Sequence, residues 1–261
     1  AVANDHAKRS MLRFPIAEGQ YGFYFGHNFG EGTDVSWYKN FPLPGSCFVN
    51  HTEYDFFGGY DHAKRAGIIY LGNHHVSTGK KFFSWGTSDF AHAWERNLTY
   101  SDGPYIELMA GVYTDNQPDF SWLEPYETKT FSQIWYPIQE IGSVKNANVR
   151  AAVNLEVNES VISLGVSSTE LLAGALVRLT AGTRTLWSQS VDLRPGAPLV
   201  AQTALPADVR ETDLLLQVLT ADGAFVIEYA PEPPRDLPLP DVVTETPPPQ
   251  EMPTVEALYL A

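Results

Sequence analysis

The stretch Gly103-Pro104-Tyr105-Ile106-Glu107-Leu108-Met109-Ala110-Gly111-Val112-Tyr113-Thr114 has the length and apolar content of a sheet strand, with one acidic residue set in its middle. Successive side chains of an extended chain point to opposite faces, so Tyr105, Glu107 and Met109 share one face and Ile106, Leu108 and Ala110 the other. A carboxylate on a covered face costs free energy unless it is paired or put to use. The stretch therefore predicts a β-sheet with one chemically marked face.

Outward from it, residues 1–140 read as short strands broken by Gly, Pro and Asn, at 21–25, 45–50, 54–60, 67–72, 80–85, 105–112 and 128–136. This spacing predicts antiparallel sheets, with a short helical turn at 90–97. All seven histidines and five of the six tryptophans lie in this part, so the chemistry is expected here. A different pattern follows over 148–230, with strands at 149–157, 161–167, 175–181, 184–191, 199–204, 214–220 and 225–229. Seven short strands with Asn, Gly or Pro turns suit a small immunoglobulin-like sandwich, and Asp222-Gly223 marks a hairpin. With no histidine, this domain reads as a spacer. Residues 231–261 hold nine of the nineteen prolines and predict an extended, solvated tail.

Hydrophobic content of 44% over 261 residues is enough for real cores and excludes a disordered chain. The net charge of -14, without a basic run, excludes nucleic acid as an expected partner. No apolar run reaches the roughly 18–20 residues needed to span a bilayer. One cysteine, Cys47, excludes an internal disulfide and a four-cysteine metal site. It does not identify the compartment; a soluble protein of the bacterial cytoplasm is the favoured setting. Neither a Walker nor a Rossmann glycine spacing is present, nor a His-Glu-x-x-His motif, so neither cofactor nor metal is expected. Ser84, Ser88 and Cys47 lack the context of a hydrolytic nucleophile.

Several ordered motifs resemble the bacterial domain of unknown function 5107 family. They are Gly59-Tyr60-Asp61-His62, Asn73-His74-His75-Val76-Ser77-Thr78-Gly79-Lys80-Lys81, Trp85-Gly86-Thr87-Ser88-Asp89-Phe90, Trp94-Glu95-Arg96-Asn97-Leu98-Thr99 and Asp115-Asn116-Gln117-Pro118-Asp119-Phe120. Ile106-Glu107-Leu108, Asn116–Phe120 and Leu123-Glu124-Pro125-Tyr126-Glu127-Thr128 also resemble the last strand, loop and strand of galactose mutarotases. Together these resemblances imply an all-β fold. Residues 1–147 would be the C-terminal part of a galactose mutarotase-like β super-sandwich, 148–230 an accessory β-sandwich, and 231–261 a Pro-rich linker toward tetratricopeptide repeats. They also imply that an N-terminal half of the domain, from the same protein or a companion chain, completes the saccharide site.

In aldose 1-epimerases the glutamate on the matching strand takes the proton of the anomeric hydroxyl, and the resemblance assigns that role to Glu107. The other reading is a structural carboxylate paired with Arg96 or Lys81. A histidine acid partner is implied at His6, in Ala1-Val2-Ala3-Asn4-Asp5-His6, although Ala7-Lys8-Arg9 replace the aromatics expected next. His74 and His75 are the alternative donors. As neighbours on a strand they would point to opposite faces and would not chelate one ion together. Trp85, Trp94, Trp122 and Trp135 offer flat faces to pyranose rings, with Trp85 and Trp122 ranked first. Asp89, Arg96, Asp115, Asn116 and Asp119 supply planar polar groups for vicinal hydroxyls. The expected function is carbohydrate processing, either glycoside hydrolysis or aldose epimerisation, on a mono- or oligosaccharide. The rival is a noncatalytic carbohydrate-binding or scaffolding module.

Overall fold

The computed structural model describes residues 33–49, 52–113, 121–233 and 249–255. The expected strand at 21–25, His6, and Asp115, Asn116 and Asp119 lie outside the described residues. The described chain is all-β apart from one α-helix and short 3-10 turns.

Two compact units account for the contacts. The first comprises described residues up to 53, those of 73–131 and those of 249–255. Its sheet joins β1 (Gly45–Phe48), β4 (Gly79–Ser84) and β5 (Ile106–Gly111) in the order β1-β4-β5, antiparallel throughout. Register puts Cys47, Phe82 and Leu108 in one row, and Phe82 packs with Val35, Phe41 and Cys47 in a buried cluster. The ring centroids of Phe41 and Phe82 lie 5.4 Å apart, edge to face. That side of the sheet is its packed side. Helix α1 (Asp89–Leu98) follows β4, one residue longer at each end than the predicted turn.

The second unit comprises residues 54–72 together with 132–233. A three-stranded antiparallel sheet pairs β2 (Phe56–Asp61) with β3 (Ala66–Leu71), and β3 with β6 (Ile134–Gln139). The strand expected at 128–136 starts later because the side chain of Lys129 folds back locally, its Nζ donating to the Trp122 carbonyl at 2.9 Å. Pro137 is tolerated because β6 is an edge strand of its sheet.

The sandwich has one sheet of β12 (Leu199–Ala204), β9 (Val161–Ser168), β8 (Ala151–Asn158) and β7 (Asn146–Ala147). The other joins β11 (Arg184–Leu193), β10 (Leu172–Ala181), β13 (Leu214–Leu219) and β14 (Phe225–Tyr229). Alternate residues such as Val153, Leu155, Ile162, Leu164, Val177, Leu179, Leu216 and Val218 meet in one buried core, as the period-2 pattern requires. The β13–β14 turn uses Gly223 at φ 85°, in the dipeptide expected to turn.

The sheet β2-β3-β6 shares a smaller core with the start of the sandwich. Ile69, Leu71 and Ile138 cluster with Ile141, Ala147 and Ala152. A Cβ on Gly165 would stand 2.7 Å from the Ile141 side chain, so only glycine admits this crossing. The half-buried Tyr136 hydroxyl donates toward the carbonyls of Asn148 (3.0 Å) and Ala151 (3.3 Å), tying β6 to the first strands of the sandwich. In the tail, Pro249–Glu251 is a 3-10 turn, and Gln250 Nε2 donates to Glu124 Oε1 at 3.3 Å. Among the described residues of the tail there is no strand. No helix of the described residues is long and apolar enough to cross a membrane.

Candidate functional site

Glu107 stands on β5 opposite Phe83 of β4, which in turn stands opposite Ser46 of β1. Residues paired across antiparallel strands share a face, so this row lies on the side away from Cys47, Phe82 and Leu108. The expected alternation therefore holds. Burial is milder than expected, since Glu107 is half-buried. Its neighbour along the face is Tyr105, whose hydroxyl is pushed up by burial and by the Glu107 carboxylate, to which it donates a hydrogen bond. Among the described residues Arg96 forms no ion pair with Glu107; it is exposed in the last turn of α1. Lys81 stands opposite Met109, one row along the same face.

The next residue of that face beyond Phe83 is Trp85. Its ring meets Phe83 edge-on at 5.2 Å and stacks on Trp94 of α1, with centroids 4.9 Å apart and planes within 9°. Phe90 packs edge-on against both indoles, at 6.0 Å from Trp85 and 6.4 Å from Trp94. The turn that delivers Trp85 depends on Gly86, at φ 86°, where a Cβ would approach the Phe41 carbonyl oxygen to 2.6 Å. Thr87 Oγ1 donates to the same carbonyl at 3.1 Å, and Ser84 Oγ accepts from Gly86 N–H at 3.0 Å. Ser88 then caps α1 by accepting from Ala91 N–H at 3.3 Å. Asp89 is exposed in the first turn, where its charge suits the helix dipole.

His74 and His75 occupy a turn, not a strand, which corrects the expectation that they face opposite ways. Asn73 Oδ1 accepts from His75 N–H at 2.9 Å, and the Asn73 carbonyl accepts from Val76 N–H at 3.0 Å. This local bonding curls the chain and brings the two imidazoles to 3.9 Å between centroids. No group of three or more His, Cys, Asp or Glu able to hold a metal forms among the described residues.

The histidine turn is tied to the far end of β5, since Ser77 Oγ donates to the Gly111 carbonyl at 3.2 Å and Gly79 pairs with Gly111. Four residue steps along the strand lead from that end to Glu107, a span of about 13 Å. Trp122 belongs with a loop whose Lys129 ammonium sits 4.9 Å over the Tyr113 ring, just beyond β5. The structure thus brings Glu107, Phe83, Trp85 and the start of α1 to one end of the sheet, and places His74 and His75 at the other.

One group was not singled out in the sequence. Glu95 is buried on the inner side of α1 with Ala91, and its Oε2 is 2.8 Å from His92 Nδ1. The i, i+4 spacing of Ala91 and Glu95 was the available signal, but a helical glutamate reads first as solvated.

Fold and site together define an all-β chain whose first part carries a sheet face with one carboxylate beside aromatics and whose second part is an antiparallel sandwich. Residues 27–138 match the family model described as Domain of unknown function (DUF5107). Residues 146–229 match the family model described as YphG-like protein, second domain, which covers the sandwich from β7 to β14. No solved structure matches the chain.

Proposed function

We propose that this chain binds a saccharide on the Glu107 face of the β1-β4-β5 sheet, and that Glu107 is the acid/base of a sugar-processing reaction, hydrolytic or epimerising. The observation that carries this reading is the Tyr105–Glu107 pair, set on the face that also holds Phe83 and Trp85 and away from the Cys47–Phe82 core. A half-covered carboxylate with a phenol donor can hold a sugar hydroxyl and exchange its proton. Of the neighbouring rings Phe83 is buried, and the half-buried Trp85 is the one that suits the apolar face of a pyranose.

A noncatalytic binding module is the second reading, and it has its own support. Glycoside hydrolysis needs two carboxyl groups about 5–9.5 Å apart. Among the described residues the row of Glu107 contains Ser46 and Phe83, and the next row on that face contains Lys81 and Met109. Neither row holds a second carboxylate.

The experiment is a panel of mono- and oligosaccharides offered to the wild type and to Glu107→Gln, with binding and turnover read separately. The catalytic reading expects turnover that is lost in the variant while binding persists. Binding without turnover in either protein selects the module. Absence of binding across the panel overturns both.

A further inference from the structure

Strand β5 is an edge of the β1-β4-β5 sheet. Val49 N–H donates to the Lys80 carbonyl at 3.0 Å, so the backbone groups of Lys80 turn toward β1 and those of Lys81 and Phe83 toward β5. Their partners Met109 and Glu107 direct their own backbone groups at β4. The N–H and C=O groups of Ile106, Leu108 and Ala110 therefore point outward, and among the described residues they have no hydrogen-bond partner. Proteins usually blunt such an edge with proline, lysine, a bulge or shortness. The edge strand β6 carries Pro137, and β1 has only four residues. β5 has six, without a proline, a basic residue or a register shift. Cover also runs out here on the packed side, where Ser84 is 1% exposed and its partner Ile106 is 41% exposed. A further strand would continue both the ladder and the core.

The strand is complementary to itself. An antiparallel copy centred on Leu108 makes three hydrogen-bonded pairs, Ile106 with Ala110, Leu108 with Leu108 and Ala110 with Ile106, all apolar and all on the packed side. Centring on Glu107 or on Met109 leaves two such pairs, and the first of these sets two glutamates directly opposite each other. In the Leu108 register Glu107 stands opposite Met109 of the second copy. It is then diagonal to the second copy's Glu107, about 7–8 Å away on the same face. Inverting glycosidases hold their two carboxyl groups about 6.5–9.5 Å apart.

We propose that two copies of this chain pair through β5, and that the second copy's Glu107 is the carboxylate that each sheet lacks by itself. The assignment rests on the saccharide reading above and selects hydrolysis with inversion. One Glu107, protonated, gives its proton to the glycosidic oxygen as the bond from that oxygen to the anomeric carbon breaks. The other, ionised, takes a proton from water, whose hydroxyl joins the anomeric carbon from the opposite face. The released alcohol and the inverted sugar hemiacetal account for every atom of glycoside and water.

One strand junction buries little area, so the dimer should form and dissociate with concentration, and sedimentation of the full chain from about 1 μM to 1 mM reads it. The mass should rise from 28.9 kDa toward twice that value, with amide exchange at Ile106, Leu108 and Ala110 slowing in step. Leu108→Pro removes the central outward donor of each copy and leaves the β4 ladder intact, so it should weaken dimerisation about thirtyfold. If that variant unfolds, Ile106→Pro at the start of the strand makes the same test. A chain that stays monomeric throughout, or a dimer that neither proline weakens, overturns the pairing and spares the saccharide reading. On any saccharide that is turned over, activity per chain should fall as the dimer dissociates, and the first anomer released should be the inverted one. Turnover independent of concentration, or with retained configuration, overturns the shared site. A dimer that turns over no saccharide supports the pairing and overturns its catalytic use.

Discussion

Tyr105 and Glu107 sit two residues apart on one face and act on each other directly. The phenol is held in its neutral form by burial and by the adjacent negative charge, so its folded value lies above the ordinary one. A raised phenol value contributes stability that is fully present below about pH 10, and that is lost as pH climbs through the folded value. Replacing Glu107 by Gln removes the charge, so tyrosinate absorbance should show one phenol titrating lower than in the wild type. An unchanged titration curve would refute the pairing. Glu107 was legible because a period of two needs only its immediate neighbours. The geometry of His74 and His75 was not, because the Asx turn made by Asn73 competes locally with strand structure and wins.

Helix α1 was legible almost to its ends, since Ser88 is a strong cap and Asp89 suits the first turn. Its exit depends on contacts beyond the helix. Thr99 Oγ1 donates to the carbonyl of Gly103 at 2.6 Å and lies 3.0 Å from that of Glu95, which fixes the exit toward β5 by contacts four residues away on each side. Ser88→Ala should remove the cap at a cost of about 1 kcal/mol, read as a lower urea midpoint with an unchanged slope. Because the cap aligns the turn carrying Trp94, the variant should also perturb the Trp94 indole resonance more than that of Trp187 in the sandwich. Equal perturbation of both would argue for global loosening. The start of β6 was misjudged for a related reason. Thr128 and Thr130 favour a strand by propensity, but Lys129 folds back to the Trp122 carbonyl and over the Tyr113 ring instead.

Across the whole molecule, the sandwich strands were readable one by one, because alternation and turn residues are local signals. The assignment of β2, β3 and β6 to the same unit as the sandwich was not readable, since it depends on the cluster of Ile69, Leu71 and Ile138 with Ala147 and Ala152. Such pairings have no signature in one sequence. Tyr136→Phe should test that unit, for it removes a half-buried donor facing two carbonyls and should cost about 1 kcal/mol. Amide exchange at Ile69, Ile138 and Ala152 should then accelerate in step. Acceleration at Ile69 and Ile138 alone would mean that the three-stranded sheet opens by itself.

The pairing of β3 with β6 carries a further consequence for biosynthesis. Leu71 and Ile134 are partners in the ladder, yet residues 73–131, which belong to the other unit, are translated between them. On the ribosome, β2 and β3 must wait as a lone hairpin while the partners of β4 are all made before β6 appears. A two-stranded hairpin is at best marginally stable in water, so this sheet closes late and from both sides of an already translated insert. Stalled nascent chains ending at residue 131 should therefore leave Ile69 and Leu71, whose amides face β6, open to exchange, and chains extended past the sandwich should protect them.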